Sequence, residues 1–167
     1  MLPIKWTDRK FSFGYSVGYT PLFVERLKNT APRLAELISS CNDATASARV
    51  NNTWSIKENI GHLSDLESLH DGRIDDFIAG LSVLRAADMS NQETEGANHN
   101  EQSIQRLLFN FRNTRNKFIE RMASLDEVHF ERKALHPRLQ QMITLTDLLF
   151  FIAEHDNHHL TRIAALV

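Results

Sequence analysis

Three histidines lie within five residues in His155-Asp156-Asn157-His158-His159. A helix turns about 100° per residue, which leaves His155 and His159 about 40° apart and one turn from each other. Cβ atoms at that spacing are about 5–6 Å apart. Two imidazoles can then reach one ion with bonds of about 2.0–2.1 Å. The pair flanks the stripe of Leu145, Leu148, Ile152 and Ile163 that marks the core-facing side. His158 turns about 60° to the other side of His155 and reads as a surface or supporting residue.

A metal needs a further ligand from another helix. His62 sits at the edge of an apolar face, about 40° from Leu66, and His70 lies nearer the centre of that face and competes with it. Three neutral imidazoles with the remaining positions open describe a catalytic rather than a structural site. Structural zinc normally has four protein ligands, often cysteines, and this chain has one cysteine, Cys41. An open divalent site lowers the pKa of bound water toward about 7, or binds and activates a thiolate. Asp65, one turn after His62, and Asp156, on the inward half of the last helix, are candidates to orient a ligand or accept a proton.

Four stretches have the period needed to hold these residues. The first runs from Thr20-Pro21 to about Ser40, with Val24, Leu27, Leu34 and Ile38 on one side and Pro32 set to kink or divide it. The second opens at Ser55 with Glu58 three residues on, a capping box, and continues through Ile60, Leu63, Ile74 and Phe77 to Leu81. The third carries Ile104, Leu107, Phe111, Phe118, Met122 and Leu125; the fourth starts near Thr144, with Asp147 in the reciprocal capping position. Residues 41–53, 86–100 and 126–143 are polar and lack a clear period, and no strand is convincing. The expectation is an all-α, antiparallel four-helix bundle over residues 20–167, preceded by an extension at 1–19.

Composition agrees. The 167 residues suit one domain. Six glycines and four prolines are few, and leucine outnumbers valine 20 to 6, which favours helices over a sheet. A net charge of −2 argues against a chain devoted to nucleic acid. No apolar run reaches the roughly 18 residues of a membrane span, and no signal-peptide core is visible, so a cytoplasmic protein is expected.

The segments Trp54-Ser-Ile-Lys-Glu-Asn-Ile-Gly-His62-Leu-Ser-Asp65, His136-Pro-Arg-Leu139, Thr144-Leu-Thr-Asp-Leu-Leu and His155-Asp-Asn-His-His159-Leu-Thr-Arg-Ile163 resemble the DinB superfamily, most closely its YfiT-like branch of metal-dependent enzymes. The resemblance covers about residues 20–167. It implies a four-helix bundle, often a homodimer, in which His62, His155 and His159 hold a nickel- or zinc-type divalent ion. It also implies a small-molecule substrate and either transfer to a low-molecular-weight thiol or hydrolysis. Many YfiT-like members carry a second histidine where Gly61 stands here. A non-catalytic bundle with a structural metal, or none, is the alternative.

Other features read plainly. Glu67-Ser-Leu-His70 matches a diiron Glu-x-x-His, but that site needs two such pairs and only one is found. Arg106, Arg112, Arg115 and Arg121 read as a solvated face, Trp54 as a packing anchor, His136 as a turn feature, and His99 and His129 as loop or surface residues.

Overall fold

The computed structural model describes residues 4–167. Four helical rods form the bundle. The first is α1 (Thr20–Lys28) and α2 (Thr30–Leu37), parted at Asn29. Pro32 is the third residue of α2, in the first turn, where its missing N–H costs no helical bond; in one unbroken helix its ring would strike the Lys28 carbonyl. After the short α3 (Asp43–Ser47), the second rod is α4 (Ile56–Asp65) and α5 (Glu67–Ile78), divided at Leu66. A short α6 (Gln92–Gly96) precedes the third rod, α7 (Ile104–Ala123). The fourth rod is α9 (Leu145–Ala164), reached through α8 (Val128–Glu131) and a hairpin of β1 (Lys133–His136) and β2 (Gln141–Thr144).

Both capping boxes form. Ser55 Oγ accepts from Glu58 N at 3.1 Å while Glu58 Oε2 accepts from Ser55 N at 2.8 Å. Thr144 and Asp147 do the same at 3.1 and 3.0 Å. The second oxygen of Asp147 accepts from Gly14 and Tyr15 N–H at 2.8 and 3.0 Å, which ties the N-terminal segment to α9. Gly14 has φ +108°, a backbone state that side chains disfavour.

Side-chain pairs give the helix directions. Asn59 meets His159 and His62 meets His155, so α4 and α9 are antiparallel, as expected of the pair that carries the histidines. Thr20 pairs with Thr146, Arg26 with Glu154 and Thr30 with Asp156, so the first rod and α9 run the same way. Glu67 pairs with Arg115 and Asp71 with Arg121, so α5 and α7 also run the same way, and the four-helix bundle is only partly antiparallel, not antiparallel throughout as expected. Parallel neighbours need a long return connection, and residues 79–103 supply it. The second helix ends at Ile78, short of the expected Leu81, and the patternless stretch 86–100 within the connection folds as α6 and a 3-10 turn at His99–Glu101 that lie against α4.

The core is split in two. One apolar cluster gathers Leu27, Ile74, Phe77, Phe118 and Leu148 with the hairpin; the other gathers Leu34, Ile60, Leu63, Phe111 and Ile163. Thr30, Glu67, Arg115 and Asp156 form a buried polar layer between them. Arg115 is therefore not on a solvated face. It is 2% exposed and pairs with Glu67 at 2.7 Å and Asp156 at 2.5 Å. Its position one turn from Phe111 and about one turn from Phe118 puts it on the buried stripe of α7.

The hairpin also departs from the sequence reading, in which no strand is convincing. Ala134 pairs with Ile143 and Leu135 with Met142, and Leu135 also bonds backbone to backbone with Ser82 and Leu84 at 2.8 and 3.0 Å. Alternation turns Ala134 and His136 inward. Among the described residues no helix is long and apolar enough to cross a membrane.

Candidate metal centre

His62 on α4 and His155 and His159 on α9 are all buried, and one nitrogen of each lies within 4.8 Å of the others. The Nε2 atoms of His155 and His159 are 3.2 Å apart. The ring centroid of His62 stands 5.4 Å from that of His155 and 4.9 Å from that of His159. His70, the competitor for the second helix, is outside this group.

Neighbouring residues fix which nitrogens are bare. Asn59 Nδ2 donates to the carbonyls of Trp54 and Ser55 at 3.1 and 2.7 Å, which turns its Oδ1 toward His159. His159 Nδ1–H donates to that oxygen at 2.8 Å, leaving a lone pair on Nε2. Thr94 Oγ1 gives its proton to Asp65 Oδ2 at 2.7 Å and so accepts from His62 Nδ1–H at 3.0 Å. The lone pair of His62 is thus also on Nε2. His99 Nε2 bonds the same Asp65 oxygen at 2.9 Å. A histidine that donates one nitrogen to an acceptor and presents the other is the usual arrangement of a metal ligand.

Burial keeps the imidazoles neutral. It lowers His62 to about 4 against the pull of Asp65, with His99 and His158 adding to the fall. His155 and His159 lie well below the ordinary histidine value, through burial first and then through their neighbouring histidines. His155 has no partner on Nδ1, and its Nε2 faces the bare Nε2 of His159. Two fixed lone pairs and a third imidazole free to choose its tautomer thus meet at one point, a set that suits a divalent cation.

The group opens on a cleft of about 450 Å³ lined also by Trp6, Trp54, His70, His136, Phe151 and His158. Trp54 is more than a packing anchor, since its ring centroid is 4.7 Å from that of His62. His136 is a wall of the cleft rather than only a turn residue. Asp65 reaches His62 through Thr94 and does not line the cleft. Asp156 also stays out of the cleft, its carboxylate held by Arg115 and Thr30. Thr94 has no signal in the sequence, and His99, read as a loop or surface residue, is buried against Asp65, because residues 86–100 carry no apolar period to mark an inward side. Gly61 offered an indirect sign of His99, whose ring fills the space above it; a Cβ there would come within 2.3 Å of the ring.

Residues 26–163 match the DinB superfamily, and the chain belongs to it. No curated protein matches the sequence. Among solved structures, the chain is similar to YfiT from Bacillus subtilis, described as "a probable metal-dependent hydrolase with an unusual four-helix bundle topology". The identity is 18%, the TM-score 0.71, and the match covers 95% of this chain and 91% of that one. The likeness establishes the four-helix fold.

Proposed function

We propose that this chain is a divalent-metal-dependent enzyme acting on a small molecule in the cleft, with His62, His155 and His159 as the ligands. The observation that carries the reading is the pair of outer hydrogen bonds, from His159 to Asn59 and from His62 to Thr94, which aim two bare Nε2 atoms at one point beside His155. Three imidazoles suit zinc or nickel. Either ion, when bound, supplies Lewis acidity and lowers the pKa of a coordinated water or thiol.

The chain's own residues hold the donors and shape the space beside them. Asn59 and the Thr94–Asp65 pair keep the ligand protons on the far side of the rings. Trp6 packs against His155 and Trp54 against His62, covering two sides of the histidine group with apolar surface. Asp88 is the only carboxylate among the described cleft residues, and both of its oxygens are engaged by Ser90 and Gln92. His136 and His158 are lowered by burial to about 3 and about 4, so neither is a strong base. A cleft with so little proton-transfer capacity favours the nucleophile that ionises more readily, and a low-molecular-weight thiol, with a free pKa of about 8.5, needs less help than water. Hydrolysis is the second reading, favoured by the likeness to YfiT.

The test compares zinc-loaded and metal-stripped protein on an aryl halide with several small thiols, and on an activated ester without thiol. Metal-dependent thioether formation is expected. Ester hydrolysis alone would favour the second reading, and rates unaffected by metal removal in both assays would overturn the enzyme.

A further inference from the structure

The chain carries a net charge of −2, yet its cleft is lined by four cations, Lys5, Arg73, Arg138 and Arg162, against the single occupied carboxylate of Asp88. Two of these cations are placed in an unusual way. Arg73 on α5 is 2% exposed and forms no ion pair with any described carboxylate. Its one hydrogen bond runs from Nε to the Arg85 carbonyl at 3.1 Å. Asp76, the nearby acid that would balance it, is taken by Arg85, which reaches both of its oxygens through backbone and guanidinium. A buried guanidinium with no carboxylate hydrogen-bonded to it is unfavourable unless an anion comes to it.

Arg138, in the turn of the hairpin, lies over the rings of Trp6 and Phe151, with Cζ 5.8 and 5.6 Å from their centroids. Its Nη2 is buried and has no hydrogen-bond partner among the described residues. His136, 2% exposed, accepts from Leu139 N–H on Nδ1 at 3.3 Å, so its proton is on Nε2. That Nε2–H is buried and unpartnered too. Arg73 and Arg138 both act on His136 as near positive charges, and Arg73 feels Asp76 favourably and Arg138 unfavourably. Two guanidinium groups and one imidazole N–H, all with unused donors, line the same cleft.

We propose that Arg73, Arg138 and the Nε2–H of His136 form an oxyanion-binding subsite, which takes the carboxylate or phosphate of a small anionic substrate whose reacting end lies at the three histidines. Guanidinium groups bind such anions through paired N–H donors. Trp6 joins the two ends of the cleft: its ring centroid is 5.0 Å from that of His155 and 5.8 Å from Arg138 Cζ. A molecule a few bonds long spans them. The subsite stands on its own donors; only its role as the anchor of a reacting molecule rests on the metal-enzyme reading.

The experiment has two arms. In the first, metal-free protein is titrated with acetate and with inorganic phosphate while the Arg Nε–H and Trp6 indole resonances are followed by NMR. Saturable shifts of Arg73, Arg138 and Trp6 are expected, and the arm also tells which oxyanion is preferred. Arg73→Gln and Arg138→Gln should each weaken binding about tenfold or more, with partial recovery in the lysine variants. A folded wild type with no saturable shift up to about 50 mM anion, weaker than any useful subsite, overturns the proposal. So does unchanged affinity in both glutamine variants.

In the second arm, Co²⁺-loaded protein is titrated with 3-mercaptopropionate and with 1-propanethiol. The carboxylate-bearing thiol should bind about tenfold more tightly, in keeping with a charge-assisted contact, and Arg73→Gln should abolish that advantage. Equal binding of the two thiols overturns the anchoring role. Failure of the wild type to take up Co²⁺ would instead count against the metal reading, with the subsite still decided by the first arm.

Discussion

Thr94→Val removes one oxygen and keeps the shape of the side chain. In the wild type that oxygen accepts from His62 Nδ1–H at 3.0 Å and donates to Asp65 at 2.7 Å. His62 is buried, so valine strands its Nδ1–H, and a stranded buried donor costs about 1–3 kcal/mol. The ring can escape by moving its proton to Nε2, but that puts a proton on the nitrogen that has to bind the ion. Either way metal affinity should fall about 10–100-fold, the usual range for losing the partner of a ligating histidine, or about 1.4–2.8 kcal/mol. The assay is chelator competition with Zn²⁺, paired with urea unfolding of the metal-free protein. Thr94→Ser keeps the hydroxyl and should stay within about threefold of wild type. Wild-type affinity and wild-type stability in Thr94→Val would refute the tautomer argument.

Two further outcomes follow from burial. Arg115→Leu leaves Glu67 and Asp156 uncompensated and should cost about 3–5 kcal/mol in urea unfolding. Because burial raises Glu67, protonation should narrow the deficit as pH falls, and a loss under about 1 kcal/mol would contradict the ion-pair layer. For metal-free wild type, the unfolded chain takes up a proton on His62 near 6.5 whereas the folded chain waits until about 4. Between those values the unfolded state binds more protons, so stability is full above about 6.5 and falls toward pH 4, by roughly 3 kcal/mol from this residue. His155 and His159 shift in the same direction. Unfolding midpoints that hold constant or rise from pH 7 to about 4 would contradict this, since linkage fixes the sign.

The parts of this molecule legible in its sequence are those with a local cause. Ser55 with Glu58 and Thr144 with Asp147 announce helix starts through contacts three residues apart, and His155 with His159 announces a shared face through one helical turn. Arg115 was readable from the same periodicity, since it continues the Phe111 stripe, but its charge argued for solvent and prevailed. The hairpin had no such signal: its strands are four residues each, too short for alternation to stand out, and backbone bonds from Leu135 to Ser82 and Leu84 help to hold it. Thr94, His99, Arg73 and Arg138 owe their places to contacts far along the chain. His62 to Thr94 spans 32 residues, and only the return path of the 79–103 connection brings them together. The parallel rods were equally hidden, because connection length alone is compatible with either direction.

The central claim is that three imidazoles hold one divalent ion. Isothermal titration of metal-free protein with Zn²⁺, repeated on His62→Ala, His155→Ala, His159→Ala and His158→Ala, tests it most directly. The expected result is one ion per chain in wild type and in His158→Ala, with affinity reduced about 100-fold or more in each of the other three, as loss of one of three ligands requires. Wild-type affinity and stoichiometry in His62→Ala, His155→Ala or His159→Ala would contradict the assignment.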